Sequence, residues 1–215
     1  MKGRRRARRA ALQALYELDQ SHHSPDVVLE TRILEFYRAA VVGVLPPSDW
    51  PVVEPLLATW PAAETDEALV SAVAGRHGVP AARVRVAVET IARWAPHAEY
   101  CADVVRGAWA HRVAIDAVIA RIAPEWPVEQ MAPVDRNVLR IALWEIATAA
   151  SPVRVAINEA VELARAFSGE GARRMVNGAL GAFTTGRYHL VIERASPLSV
   201  AGGHAHIGPQ EEGPS

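Results

Sequence analysis

A chain of 215 residues, half of them hydrophobic, is long enough to bury a core of its own, which excludes a disordered or low-complexity protein over most of its length. The single cysteine, Cys101, excludes an intramolecular disulfide, and no stretch approaches the roughly 18 to 20 apolar residues of a membrane span, so the expected setting is the cytoplasm. The net charge of −1 hides an asymmetry: the first nine residues carry six of the 23 bases and no acid, leaving 17 bases against 24 acids, or −7, in the remainder.

That basic run, KGRRRARR, passes without a break into the helical pattern AALQALYELDQ. On a 3.6-residue period Leu12, Leu15, Tyr16 and Asp19 share a stripe, and continuing it backwards brings Arg8 and Arg4 to positions where a core needs apolar side chains. The pattern therefore predicts a helix docked through its second half. Its first two turns, with Lys2, Arg4, Arg5, Arg6, Arg8 and Arg9, are expected to stand clear of the body. The pairs Arg4/Arg8 and Arg5/Arg9 are like charges at i,i+4, which oppose a free helix by about 0.3 kcal/mol each, so a free arm should fray until a polyanion orders it. Arginine's planar fork donates two hydrogen bonds at once to phosphate and stacks on splayed bases, which makes nucleic acid the leading partner.

Ser24 and Pro25 form an N-cap and first-turn pair, and Leu29, Ile33, Phe36 and Ala40 then repeat at helical spacing up to Gly43. Five prolines between Leu45 and Pro61, with Trp50 and Trp60, predict an ordered loop. Thr65 caps a short helix carrying Leu69, Val70 and Val73, and Pro80 opens another, carrying Val84, Val88 and Ile91, that Pro96 should close. A long helix is expected from His97 to Pro124, with Val105, Ala108, Ile115, Ile119 and Ile122 on its buried stripe and Trp109 on its flank.

Pro133 opens the helix VDRNVLRIALWEI, in which Val138, Ile141, Ala142 and Glu145 mark one face. Ser151 and Pro152 start a helix with Ala156, Ala160, Leu163 and Phe167 in register, and ARRMVNGALGAF forms the last, its glycines at 178, 181 and 186 allowing close backbone approach or an end. No sustained period-2 run exists beyond the isolated HLVIE, so the fold class is all-α. Residues 191–215 read as a disordered tail.

Three of these stretches, RRRARRAALQALYELDQ, VDRNVLRIALWEI and VAINEAVELARAFSGEGARRMVNGAL, resemble the NusB transcription antitermination family and stand in that family's order, with YCADVVRGAW as a weaker match. The resemblance implies an all-α domain over residues 1–190, made of two packed helical subdomains, with residues 45–96 as a small helical insertion that could be excised. It implies no enzymatic activity and no cofactor, and binding of boxA-like single-stranded RNA from ribosomal RNA transcripts. The RNA is held jointly with the small-subunit ribosomal protein that acts as NusE, within an RNA polymerase antitermination complex and away from any membrane. Position by position, it implies RNA contacts from the arginine arm, including Arg4, Arg5, Arg6, Arg8 and Arg9, and from Met175 and Asn177, and a ribosomal-protein interface at Tyr16 and Asp135. Arg140 and Glu145 match residues of the same motif with no assigned role. The chain departs from the family pattern at the insertion, at Gly171, where relatives often carry an acidic or polar side chain, and in its longer tail.

Other constellations are weaker. His97 and Cys101 lie i,i+4 with His111 further on, but one helix spreads them apart and a zinc site needs four convergent ligands. Asn158, Glu159 and Glu162 lack a nucleophile or a phosphate loop and read as capping and surface charge. The alternatives to an RNA-binding factor are a protein-interaction scaffold and the detached RNA-binding domain of a ribosomal RNA cytosine methyltransferase system.

Overall fold

The computed structural model describes residues 2–42 and 67–192, and its regular structure there is entirely helical. In chain order the helices are α1 (Lys2–Gln20), α2 (Pro25–Val41), α3 (Glu67–His77), α4 (Ala81–Ala110), α5 (Arg112–Ile122), α6 (Pro133–Ala147), α7 (Val153–Phe167) and α8 (Glu170–Phe183). The proline-rich stretch with Trp50 and Trp60, the cap at Thr65, the side chain of Leu69 and the tail from residue 193 lie outside the described residues.

Local chemistry sets most of the boundaries. Ser24 Oγ accepts from the Val27 amide, and Pro25 and Asp26 occupy the first turn of α2, where a missing N–H and a negative charge are both favourable. Pro133 and Asp135 do the same for α6. The expected stop at Pro96 is not there: α4 runs through it as one 30-residue helix. Pro96 lies on the exposed face, where water can take the carbonyl that its ring leaves unpaired. The break falls instead at His111, whose Nδ1 lies 2.8 Å from the Gly107 carbonyl, while Arg112 donates to the Trp109 carbonyl at 2.9 Å. The long helix expected over 97–124 is thus the end of α4 followed by α5.

The helices form two groups, α1, α2 and α3 against α4, and α6, α7, α8 with α5, joined where α1 and α4 both pack on α6. Continuity of α4 removes the expected insertion boundary at residue 96. Val84, Ala87, Val88 and Ile91, all within the segment expected to be excisable, are fully buried in the common core.

Small residues let the backbones close in. Gly3, Ala7, Ala11 and Ala14 face inward on α1, and a Cβ on Gly3 would meet the His97 ring of α4 at 2.1 Å. A Cβ on Gly107 of α4 would meet the Trp144 indole of α6 at 2.0 Å. Of the two roles open to the glycines at 178, 181 and 186, close approach is not found at Gly178 and Gly181, which face open space, while Gly186, at φ 78, follows the end of α8. Trp144 is buried and cannot swing away, so Gly107→Ala should destabilise the protein by about 1–3 kcal/mol despite alanine's better helix propensity. Urea unfolding checks this, and an alanine variant as stable as the parent would contradict the packing described.

Candidate nucleic-acid interface

The arm does not stand clear. From Lys2 onward it is the first half of α1, and each arginine has a definite place. Arg8, predicted to be intolerable in a core, is 3% exposed: its Nε donates to Glu145 Oε1 of α6 at 2.8 Å and its Nη2 to Ser151 Oγ at 3.1 Å. Removing either partner of such a pair would leave a buried charge uncompensated, so Arg8 is a structural residue and is not available to a polyanion. Burial pushes the Glu145 carboxyl above its ordinary range, with the Arg8 charge opposing that rise.

The other cations point outward but rest on the body. Arg4 donates to the Ala150 carbonyl at 2.8 Å, and its guanidinium lies 4.5 Å from the centre of the Tyr100 ring. The accepting connection between α6 and α7 turns through Ala149 at φ 52. Arg5, 58% exposed, makes a two-pronged contact with Glu159 of α7, at 3.0 and 2.8 Å, which lowers the Glu159 pKa. Arg6 lies over Trp94 at 5.1 Å and Phe36 at 5.7 Å, and Arg9 over Phe167 at 5.3 Å. A guanidinium stacked by its face leaves its N–H edge free to donate, so these pairs hold the charges in place without consuming their hydrogen bonds.

Of the exposed residues of α1, Lys2, Arg5, Arg9, Gln13, Tyr16 and Gln20 follow 3- and 4-residue spacing and make one continuous stripe, with Arg4 exposed beside it. At its far end an open, largely apolar groove of about 470 Å³ is lined by Leu12, Tyr16 and Glu17 of α1, Arg32 of α2, Val134 of α6 and Phe167 of α7. Tyr16 is 44% exposed there. Asp135 follows Val134 in the first turn of α6 but does not line the groove, and its Oδ1 is buried without a hydrogen-bond partner among the described residues.

Met175 and Asn177 lie on α8, which packs on α7, α6 and α5 and not extensively on α1. Asn177 is exposed and Met175 half-buried, so the structure does not bring them into contact with the arm. Cys101 is fully buried, and burial pushes its thiol up to about 12. No His, Cys, Asp and Glu cluster able to hold a metal occurs among the described residues, and no helix there is long and apolar enough to cross a membrane.

The residues that sequence reasoning left unassigned fix α1 against α6. Asp19 accepts from Asn137 at 2.8 Å, Arg136 at 3.1 Å and Arg140 at 3.0 Å, and Arg140 reaches on to Asp116 of α5 at 2.6 Å. The available signal was the i,i+3 spacing of Asn137 and Arg140 on an otherwise buried face. Burial alone would raise the Asp19 pKa, but the Arg140 charge and the three donors outweigh it and hold it below 3.8. A depressed folded-state pKa means stability that is present above the unfolded value and lost as pH falls through the folded one. Asp19→Asn should therefore destabilise the protein by a constant amount above about pH 5. The gap from the parent should narrow as the pH drops below the unfolded value of 3.8. Unfolding titrations from pH 7 to pH 2 measure that difference, and a pH-independent gap would contradict the assignment.

The fold and this surface define a class: an all-helical protein with a row of arginines on one helix and an apolar groove at the end of the same stripe. Known proteins resolve the class further. The NusB family model matches residues 83–185, beginning inside the segment expected to be an insertion. The chain is 34% identical to the transcription antitermination protein NusB of Chloroflexus aggregans over 185 residues, 85% of this chain and 87% of that protein. It is 38% identical to the same-named protein of Herpetosiphon aurantiacus over 181 residues, 82% of this chain and 86% of that protein. The chain belongs to the NusB family. A crystal structure of antitermination factors NusB and NusE in complex with dsRNA shares the fold, with a TM-score of 0.54 at 18% identity over 86% of this chain and 98% of that one.

Proposed function

We propose that this protein is a cytoplasmic transcription antitermination factor that acts by assembly rather than by catalysis. It holds a boxA-like single-stranded segment of a ribosomal RNA transcript together with the small-subunit ribosomal protein acting as NusE, for delivery to an RNA polymerase antitermination complex. The observation that carries this reading is the single stripe of α1, with outward arginines at one end and the Tyr16 groove at the other. The names of the relatives favour it over a bare interaction scaffold or a methyltransferase accessory domain. The structural neighbour's own NusE and dsRNA are consistent with both partner classes.

In this reading Lys2, Arg4, Arg5, Arg6 and Arg9 contact the RNA, and Arg8 supports them from beneath. Arginines that already sit on rings can take up phosphates while unstacked bases compete for the same aromatic faces, a mode suited to a single strand. Asn177 and Met175 contribute sequence preference from α8, since phosphate contacts position a strand and base contacts specify it. Tyr16 and Asp135 meet the ribosomal protein, and a basic partner suits a chain that carries −7 outside its arm.

One experiment tests both halves. If three or four arm cations reach phosphates, RNA affinity should fall with salt at a log–log slope of about −2 to −3, and Arg5, Arg6 and Arg9 changed together to Gln should flatten it by about 2. Tyr16→Ala with Asp135→Lys should weaken ribosomal-protein binding and leave that slope intact. An unchanged slope in the triple variant, or undiminished partner binding in the double one, would remove the corresponding surface.

A further inference from the structure

We propose that Phe167 is the positioning residue that couples the two surfaces, so that RNA on the arm and the ribosomal protein in the groove each tighten the other; this rests on the reading of both surfaces given above. Two separate observations meet at this ring. It lies 5.3 Å beneath the Arg9 guanidinium, and it also lines the groove with Leu12, Tyr16 and Val134. Arg9 and Tyr16 are seven residues apart on the exposed stripe of α1, two helical turns, and Phe167, at the end of α7, lies under Arg9 at one end of that interval and lines the groove that Tyr16 lines at the other.

Its exposure points the same way. Phe167 is in helical register with the buried Ala156, Ala160 and Leu163, yet it is 37% exposed, so the core does not use the ring fully. A partner filling the groove would bury that ring and fix its rotamer. The Arg9 guanidinium would then sit on an immobilised, water-excluded ring, where the attraction between cation and π face is stronger, with its N–H edge turned to the strand. Bound RNA, by fixing Arg9, would in turn hold the ring in place for the partner. Thermodynamic linkage requires both effects to have one size.

The test is a cycle of affinities. RNA binding is measured with and without saturating ribosomal protein, and ribosomal-protein binding with and without saturating RNA, for the parent, Phe167→Ala, Phe167→Tyr and Arg9→Gln. The parent should show a reciprocal enhancement of about tenfold. Phe167→Ala should reduce it below about twofold while each binary affinity changes less than the enhancement does, and Phe167→Tyr, which keeps the ring, should retain it. Arg9→Gln weakens RNA binding itself, but it should also abolish the enhancement, and adding Phe167→Ala to it should change the ratio no further. An alanine variant that keeps the parent's enhancement overturns the proposal, as does a parent that binds both partners with none. If the parent binds neither partner, the reading of the surfaces themselves fails and this proposal with it.

Discussion

The structure depends on the pairing of α1 with α6, and that pairing is set by charges that have nowhere else to go. Arg8 meets Glu145 and Asp19 meets Asn137 and Arg140, so ascending α1 matches descending α6 and the two helices run antiparallel. Between the two clusters lie Ala11, Leu12 and Leu15 on one helix and Val138, Ile141 and Ala142 on the other, all buried and all compatible with several sliding registers. Buried ion pairs add little net stability, because desolvation offsets attraction, but a shift of one turn would part Arg8 from Glu145 and Asp19 from Asn137 and Arg140, with only Arg140 keeping a second carboxylate, Asp116. Apolar packing holds the helices together, and the ionic pairs select one register.

That register decides what the arginine arm is. An unattached basic peptide would lose conformational entropy on meeting RNA, and its affinity would be reduced accordingly. Here Gly3 and Ala7 are buried, Arg8 is anchored, and the remaining arginines rest on Tyr100, Trp94 and Phe167 or on Glu159. Ordering has been met at folding, so a polyanion finds charges already spaced along a rigid helix. The counterweight is Glu159, which an RNA phosphate must displace or share at Arg5. The same rigidity places the groove at a fixed distance along the stripe.

Much of this was legible in the sequence. Caps and 3.6-residue periodicity gave α2, α6 and α7 nearly to the residue, and the absence of period-2 runs gave the all-α class. What was missed has specific causes. Arg8 reads as a charge that no core accepts, because its counterion is 137 residues away and only the topology brings Glu145 to it. Pro96 reads as a stop by a local rule that an exposed helix face relaxes, and with it went the assignment of Val84, Val88 and Ile91 to a detachable lobe instead of the core. Phe167 reads as core by register, and only its neighbours on α1 and α6 show that its ring belongs to the surface. In each case the local pattern was read correctly and a distant residue determined its meaning.

The central claim is that the arm is an ordered half of α1 before any RNA arrives, and native-state hydrogen exchange of the free protein tests it most directly. The amides from Arg6 to Ala11 donate within the helix and lie over buried residues, so they should be protected to nearly the same degree as those around Leu15 and Leu18, with little further gain on adding RNA. Exchange of these amides at the rate of an unstructured peptide, slowing only when RNA is present, would contradict the account.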